Sequence, residues 1–314
     1  LWDGIPLPLL VGLGVCFLIA SIFMAVMSAN PLVSIGMSVY NNEQTVRRAL
    51  ASMVRQTFKD WELILFDDCS TDATVKVAQS FDDERIRLIC DHERRGLAYR
   101  LNQAVDMARG VYFARMDGDD VSLPERLARQ VAFLDDYPEV DLLGSGVVVF
   151  AENGIATGVR IPLVSHEAIC RQPWSGFPLP HPTWMGRIEW FRHHRYDERF
   201  YKSQDYDLLL RSYKNSCFAA IPEVLLGYCE GPMSRKKSIS SRCSTVKSQW
   251  QYARKNKAWI MLPRSFAGQF IKGTIDFALI GTRFEQKILN RRNSPIDQKT
   301  LHRWRIFWEK LQEI

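Results

Sequence analysis

Three carboxylates, Asp117, Asp119 and Asp120, fall within four positions of the stretch YFARMDGDDVSLPERL, directly behind a run with strand character. Carboxylates this close repel one another, so they either face water separately or share a cation. A second acidic turn, FDDCSTD, carries Asp67, Asp68 and Asp72 behind another strand-like run, WELILF. Hard oxygen ligands of this kind select Mg²⁺ or Mn²⁺, and such an ion is commonly completed by the phosphate oxygens of a substrate. The chain has neither a GxxxxGK(S/T) loop nor a GxGxxG turn, so a phosphate would be held through the metal rather than by a glycine-rich loop. A nucleoside diphosphate meets that requirement.

Position matters as much as residue type, and the surrounding sequence alternates strand and helix signals. LVSIGMSVY (32–40) is a β-branched run, and the segment after it repeats apolar or small residues at helical spacing through Val46, Leu50, Met53 and Val54. A strand over 61–66 and the DDCSTD turn lead into a helix that Ser70 or Thr71 is placed to cap. RIRLIC (85–90) reads as a third strand, GLAYRLNQAVDMA (96–108) as an amphipathic helix closed by Gly110, and VYFARM (111–116) as a fourth strand. Alternation of this kind predicts an α/β class with a mostly parallel sheet and flanking helices. Ligands in such sheets gather beyond the carboxyl ends of the strands, where both acidic turns fall.

The blocks PLVSIGMSVYNNEQTVRRALASMVRQTFKDWELILFDDCSTDAT, RRGLAYRLNQAVDMARGVYFARMDGDDVSLPERLARQ and ERFYKSQDYDLLLRSY resemble, in order and spacing, those of the family-2 glycosyltransferases with the GT-A fold. The likeness runs from about residue 31 to residue 230. It implies a sugar transfer from a nucleotide-sugar donor, most simply a UDP-sugar, with inversion at the anomeric carbon and with Mg²⁺ or Mn²⁺ as cofactor. By the same resemblance Ser38, Tyr40 and Glu43 lie in the loop that holds the nucleotide, Asp68 matches the carboxylate that bonds the base, and Asp117 matches the residue near the ribose. Asp119 matches the metal ligand of the DxD motif, with Asp120 beside it. Asp205 of SQDYDLLLRS matches the general base, although many relatives carry Glu where this chain has Gln204. His181, in LPHPTWMGR, is a further candidate for contact with donor phosphate or acceptor, against the plainer reading of a structural histidine.

Composition bounds the remainder. With 46% hydrophobic residues, the 314-residue chain can bury a sizeable core. Its seven cysteines are widely spaced and without a CxxC pair, which encodes neither a disulfide framework nor a zinc site. The net charge of +6 conceals an asymmetry: residues 233–314 hold 18 Lys and Arg against 5 Asp and Glu, leaving 23 against 30 for residues 1–232. No charge occurs between Gly4 and Asn42, and the apolar run over 5–27 would extend about 35 Å as a helix, enough to cross a hydrocarbon core of about 30 Å. The expected organisation is a transmembrane anchor over 1–30, a GT-A domain over 31–232 and a basic, amphipathic helical tail over 233–314. Arg47 and Arg48 follow the span, so the catalytic domain is expected on the cytoplasmic face of the inner membrane. Within the tail, residues 265–284 read as an amphipathic helix at the membrane interface, with packing on the catalytic domain as the competing reading.

The expected partners are therefore a nucleotide-sugar donor, a glycan or lipid-linked acceptor and a membrane, with no nucleic acid. Two other classes stay open on sequence. A nucleotidylyltransferase would want a glycine-rich phosphate loop near the first strand, and MSVYNNEQT has no glycine there. A membrane-bound nucleotide- or nucleic-acid-binding protein would use the basic tail for salt-sensitive contacts instead of consuming sugar nucleotide.

Overall fold

The computed structural model describes residues 30–231, 234–282 and 293–313; the run over 5–27 lies outside them. Among the described residues no helix is long and apolar enough to cross a membrane.

The first half of the chain winds a parallel sheet. Strands β1 (Val33–Val39), β2 (Trp61–Asp67), β3 (Ile86–Cys90) and β4 (Tyr112–Asp117) lie side by side in the order β3-β2-β1-β4, all parallel. They are separated in sequence by helices α1 (Val46–Val54), α2 (Thr74–Gln79) and α3 (Leu97–Met107). Both faces are covered, which is why β1 and β2 read as nearly continuous apolar runs. Val33, Ile35, Met37 and Val39 pack with Val46, Leu50, Leu127 and Leu134 on one face. Ile64, Phe66 and Phe113 pack with Leu101, Val105 and Phe191 on the other.

Glycine sets the closest approach of these layers. A Cβ on Gly36 would lie 2.5 Å from Phe113 Cζ and 3.0 Å from Ala104 Cβ, so α3 can seat on β1 only over a bare backbone. Gly110 does not close α3, which ends at Met107 before an extended Ala108. Its place is fixed by contact with β1 instead: a Cβ there would meet Ser34 N at 2.6 Å, and its N–H donates to Ser34 Oγ at 2.8 Å. The expected cap of α2 differs too. Neither Ser70 nor Thr71 caps the helix; Asp72 Oδ1 accepts from Thr74 N at 2.9 Å, while Ser70 and Thr71 bond the neighbouring loop.

Beyond β4 the sheet becomes mixed. Strands β5 (Val121–Ser122), β6 (Leu142–Phe150), β7 (Ala156–Arg160), β8 (Met185–Arg187) and β9 (Phe218–Cys229) extend it to nine strands in the order β3-β2-β1-β4-β8-β6-β9-β5, with β7 paired to β6. Strand β8 is antiparallel to both β4 and β6, and β9 runs parallel to β6. Helices α4 (Arg126–Asp136), α5 (His166–Ile169), α6 (Ile188–His193) and α7 (Gln204–Ser212) cover this half.

The described tail residues form α8 (Arg235–Asn256), α9 (Leu262–Leu279) and α10 (Gln298–Gln312). Helix α10 buries Trp304, Phe307 and Leu311 against Val121, Val148 and Phe150, with Trp304 Nε1 donating to Gly154 O at 2.9 Å. Helix α8 is tied to α7, where Ser248 Oγ donates to Asp207 Oδ1 at 2.8 Å and Gln249 Nε2 to Tyr206 Oη at 3.0 Å. Helix α9 rests on α8 and turns Phe270, Ile271 and Phe277 outward.

Candidate active site

The parallel register brings the two acidic turns to one edge. Ser38 on β1 is level with Phe66 on β2 and with Asp117 on β4, so the chain leaves the sheet at Tyr40, Asp68 and Gly118 side by side. The first two loops are laced together. Asn41, in the left-handed region at φ 52, receives Thr71 N–H on its Oδ1 at 2.9 Å and donates its own N–H to Ser70 Oγ at 3.0 Å. Glu43 N donates to Asp72 Oδ2 at 3.2 Å, while Glu43 Oε2 accepts from Ala73 N at 2.9 Å. Thr45 Oγ1 then donates to Gly118 O at 2.8 Å, fixing the third turn to the other two.

Each carboxylate in these turns has its own surroundings. Asp68 is buried and takes N–H bonds from Arg95 at 2.8 Å and Gly96 at 3.0 Å, together with Arg100 Nε at 2.9 Å. Arg100, itself buried, also grips Asp91 through Nη1 and Nη2 at 2.6 Å. Replacing Arg100 with Met strands Asp68 in the interior without its cation, and we expect a loss of about 3–5 kcal/mol in urea unfolding. The same variant has an altered acid limb. Hydrogen bonding to Arg100 holds Asp91 below its ordinary 3.8, at about 2. That ion pair therefore contributes fully above about pH 3.8 and is lost as pH falls towards 2, a dependence the Met variant lacks.

Asp117, Asp119 and Asp120 converge. One carboxylate oxygen from each lies within 4.8 Å of the others, and no other group of three or more His, Cys, Asp or Glu among the described residues could hold a metal ion in this way. Asp117 accepts from Arg115 Nη2. Asp120 is buried; its Oδ1 accepts from Cys229 N at 2.8 Å, and its Oδ2 has no partner. Burial and then the neighbouring Asp117 charge push Asp119 up to about 6, and burial with Asp119 and Asp117 raises Asp120 well above the usual carboxylate range. A buried orphan oxygen within a knot of mutually repelling hard oxygens fits a divalent cation, and Mg²⁺ or Mn²⁺ suits the donor set.

Asp119 lines a cavity of about 670 Å³ with Glu43, Asp72 and Tyr228. Tyr228 also borders a second cavity, of about 490 Å³, shared by His181 and Asp205, and a third, of about 660 Å³, reached by Asp205. Asp205 sits in the first turn of α7 beside a left-handed Ser203. Its neighbour Asp207 is spent on structure, accepting from Arg211 Nε at 2.7 Å and from Ser248 Oγ at 2.8 Å. Asp205 instead lines the cleft, and burial raises its pKa above the ordinary 3.8. His181 is buried, with Nε2 2.8 Å from Tyr196 Oη and its ring edge-on to Trp184. Burial and then Arg115 hold it well below 6.5, so it enters the cleft wall as a neutral ring.

Several residues at the site escape a reading of motifs. Arg94 lies over the Tyr40 ring with its guanidinium carbon 3.9 Å from the centroid, a cation–π contact beside the first loop. Arg115 is buried beside Asp117 with Nε and Nη1 unpartnered. It projects from the same face of β4 as Asp117, two residues on, and period-two alternation could have exposed it. Tyr228 reaches the cleft only because β9 returns beside β5.

Residues 34–195 match the family model for Glycosyl transferase family 2. The chain belongs to that family. This glycosyltransferase is 38% identical over 194 residues to EpsE of Bacillus subtilis (strain 168), covering 60% of this chain and 69% of that one. It is 36% identical over 103 residues to the Escherichia coli UDP-Glc:alpha-D-GlcNAc-diphosphoundecaprenol beta-1,3-glucosyltransferase WfgD, covering 33% and 41% of the two chains. Its fold is shared with the mannosyltransferase PcManGT of Pyrobaculum calidifontis, solved with GDP-Man and Mn²⁺, at a TM-score of 0.57 and 16% identity over 90% of this chain and 88% of that one. The glycosyltransferase thus has the α/β GT-A fold, with a mixed sheet whose first four strands are parallel.

Proposed function

We propose that this glycosyltransferase moves a sugar, with inversion, from a nucleoside-diphosphate sugar to a hydroxyl of a lipid-linked or cell-envelope glycan. The observation that carries the reading is the placement of the Asp117, Asp119 and Asp120 cluster and of Asp205 around one residue, Tyr228. One end of the site suits a metal-held diphosphate and the other suits a base facing an acceptor.

In this reading Ser38, Tyr40, Glu43 and Asp68 position the nucleoside, with Arg94 extending the stack on Tyr40, and Asp117 faces the ribose. Asp119 is the principal ligand of the Mg²⁺ or Mn²⁺, with Asp120 behind it. When bound, that ion neutralises charge building on the departing diphosphate. Asp205 takes the proton of the acceptor hydroxyl as it attacks the anomeric carbon from the face opposite the leaving group. A single displacement of this kind inverts the anomeric centre. Half-buried in the cleft wall, Asp205 bears a raised pKa, which makes its carboxylate a stronger base than one in water. His181 lines the same wall as a neutral hydrogen-bonding ring.

A UDP-sugar is the first donor to try, since WfgD uses UDP-Glc, and a GDP-sugar is the second, since PcManGT binds GDP-Man. The acceptor named for WfgD is a diphospholipid-linked sugar, which accords with an anchor over 5–27 and with a catalytic domain on the cytoplasmic face of the membrane. The test is nucleotide release from a panel of nucleotide sugars with Mn²⁺ or Mg²⁺. One donor is expected to be consumed, and chelation with EDTA to abolish its consumption. Turnover unaffected by the chelator rejects the metal, and a panel left untouched rejects the donor class.

A further inference from the structure

Two cavities lie beyond Asp205, and their chemistry changes in a set order. The nearer one, of about 660 Å³, has Asp205 in its wall and is bordered by Lys202, Lys237, Arg242 and Lys272, with hydroxyls from Ser238 and Thr245. The ammonium groups of these three lysines make no ion pair among the described residues. Residues 234–282 hold ten Lys and Arg against one acid, Asp276, which Arg242 and Ser238 already bond. Positive charge therefore converges beside the base, and Lys237 also borders the Asp119 cavity, so the two sites adjoin there.

The second cavity, a groove of about 710 Å³ between α8 and α9, shares Arg242 and Gln269 with the first. Its other walls include Ile239, Val246, Phe266, Phe270 and Phe277. Phe270 is 74% exposed and Phe277 59% exposed, so apolar surface stands open to water where a helix of a closed domain would bury it. A free glycan would find few hydrogen-bond partners among those rings, and a nucleotide belongs at the opposite end of the cleft. Base, cations and apolar groove follow one another as reactive hydroxyl, phosphate and hydrocarbon do in an amphiphile.

We infer that these two adjoining cavities bind the acceptor, and that it is a sugar carried on a long-chain lipid phosphate or diphosphate. The phosphate lies among Lys202, Lys237 and Lys272, the hydrocarbon along Phe266, Phe270 and Phe277, and the sugar hydroxyl reaches back to Asp205. The inference rests on the proposed reaction for the role of Asp205, chooses the lipid-linked acceptor over a free glycan, and adds the place on this chain that holds its phosphate and hydrocarbon.

The test is binding of farnesyl diphosphate to the full chain in EDTA, where the carboxylate cluster cannot hold a diphosphate through a metal. Farnesol, inorganic pyrophosphate and phosphatidylglycerol vesicles serve as separate arms. Farnesyl diphosphate is expected to bind at least about tenfold tighter than either farnesol or pyrophosphate, since head and tail are engaged together. Reversing Lys237 and Lys272 to Glu, both on the surface, should weaken it by about fivefold or more for each charge and leave farnesol unaffected. Phe270→Glu should weaken farnesyl diphosphate and farnesol alike. Asp119→Ala and Asp205→Asn should bind it as wild type does, which separates this site from the catalytic reading: either can fail without the other. The inference is overturned if farnesyl diphosphate binds no tighter than its halves, or if neither set of reversals matters. It is equally overturned if only phosphatidylglycerol vesicles bind with that sensitivity, for the helices would then be a bilayer-docking surface.

Discussion

Asp119→Ala is expected to lose all donor binding that depends on Mn²⁺ or Mg²⁺ and to turn over nucleotide sugar at least about 10²–10³-fold more slowly than wild type. Asp119 is the member of the cluster that lines the cavity of about 670 Å³, whereas Asp117 is engaged by Arg115 and Asp120 by the backbone N–H of Cys229. It is therefore the carboxylate best placed to bridge protein and substrate-bound cation.

Stability should move the other way, and this separates a ligand from a structural prop. Asp119 lies against two other carboxylates, and its raised pKa has burial as its first cause and the Asp117 charge as its second. Removing it relieves repulsion, so the metal-free variant should be at least as stable as metal-free wild type in urea. Wild type should gain from added Mn²⁺, by about 2.7 kcal/mol at a hundredfold excess over the dissociation constant, and the variant should gain nothing. A variant that is unstable without metal, or that retains the Mn²⁺ increment, would rule out the assignment.

The parts of this structure that sequence reveals are those in which local chemistry and tertiary position agree. Strands β1 to β4 and helix α3 fall within a residue or two of their expected limits; β1 and β2 are covered on both faces and so nearly apolar throughout, and α3 carries one apolar stripe. The second half is harder. Strand β8 is three residues long, and β9 contains Pro222 and Glu223, both exposed where its register against β6 slips, so no alternation runs its length. The misjudged cap of α2 has a similar origin: Ser70 and Thr71 are good capping residues, but they bond Asn41 in a loop 29 and 30 positions earlier. At the site, the spacing of Asp117, Asp119 and Asp120 is local and legible. Arg100 beneath Asp68, Arg94 on Tyr40 and Tyr228 in the same cavities as Asp205 are not, since each pairing joins residues far apart in sequence.

Asp205→Asn should keep wild-type affinity for the donor and its metal while lowering kcat by about 10²–10⁴-fold. The carboxamide occupies the same volume at the start of α7 and can still accept from Tyr206 N–H, one of the bonds the carboxylate makes, but it takes no proton from an acceptor. The pH dependence carries the sign of a base. Burial, the leading cause, raises Asp205 above 3.8, and only its ionised form can act. Wild-type kcat/KM should accordingly climb as pH rises through that raised value and then level off, and the residual rate of the Asn variant should lack this limb. Asp207→Asn is the control one turn-face away: it weakens the bonds to Arg211 and Ser248, so the fold becomes less stable while each folded molecule keeps its turnover. Equal loss of kcat in the two variants would mean that α7 is merely displaced. A wild-type rate in Asp205→Asn would remove Asp205 from the chemistry, and a product of retained anomeric configuration would rule out its role as the base of a single displacement, because attack opposite the leaving group in one step inverts the centre.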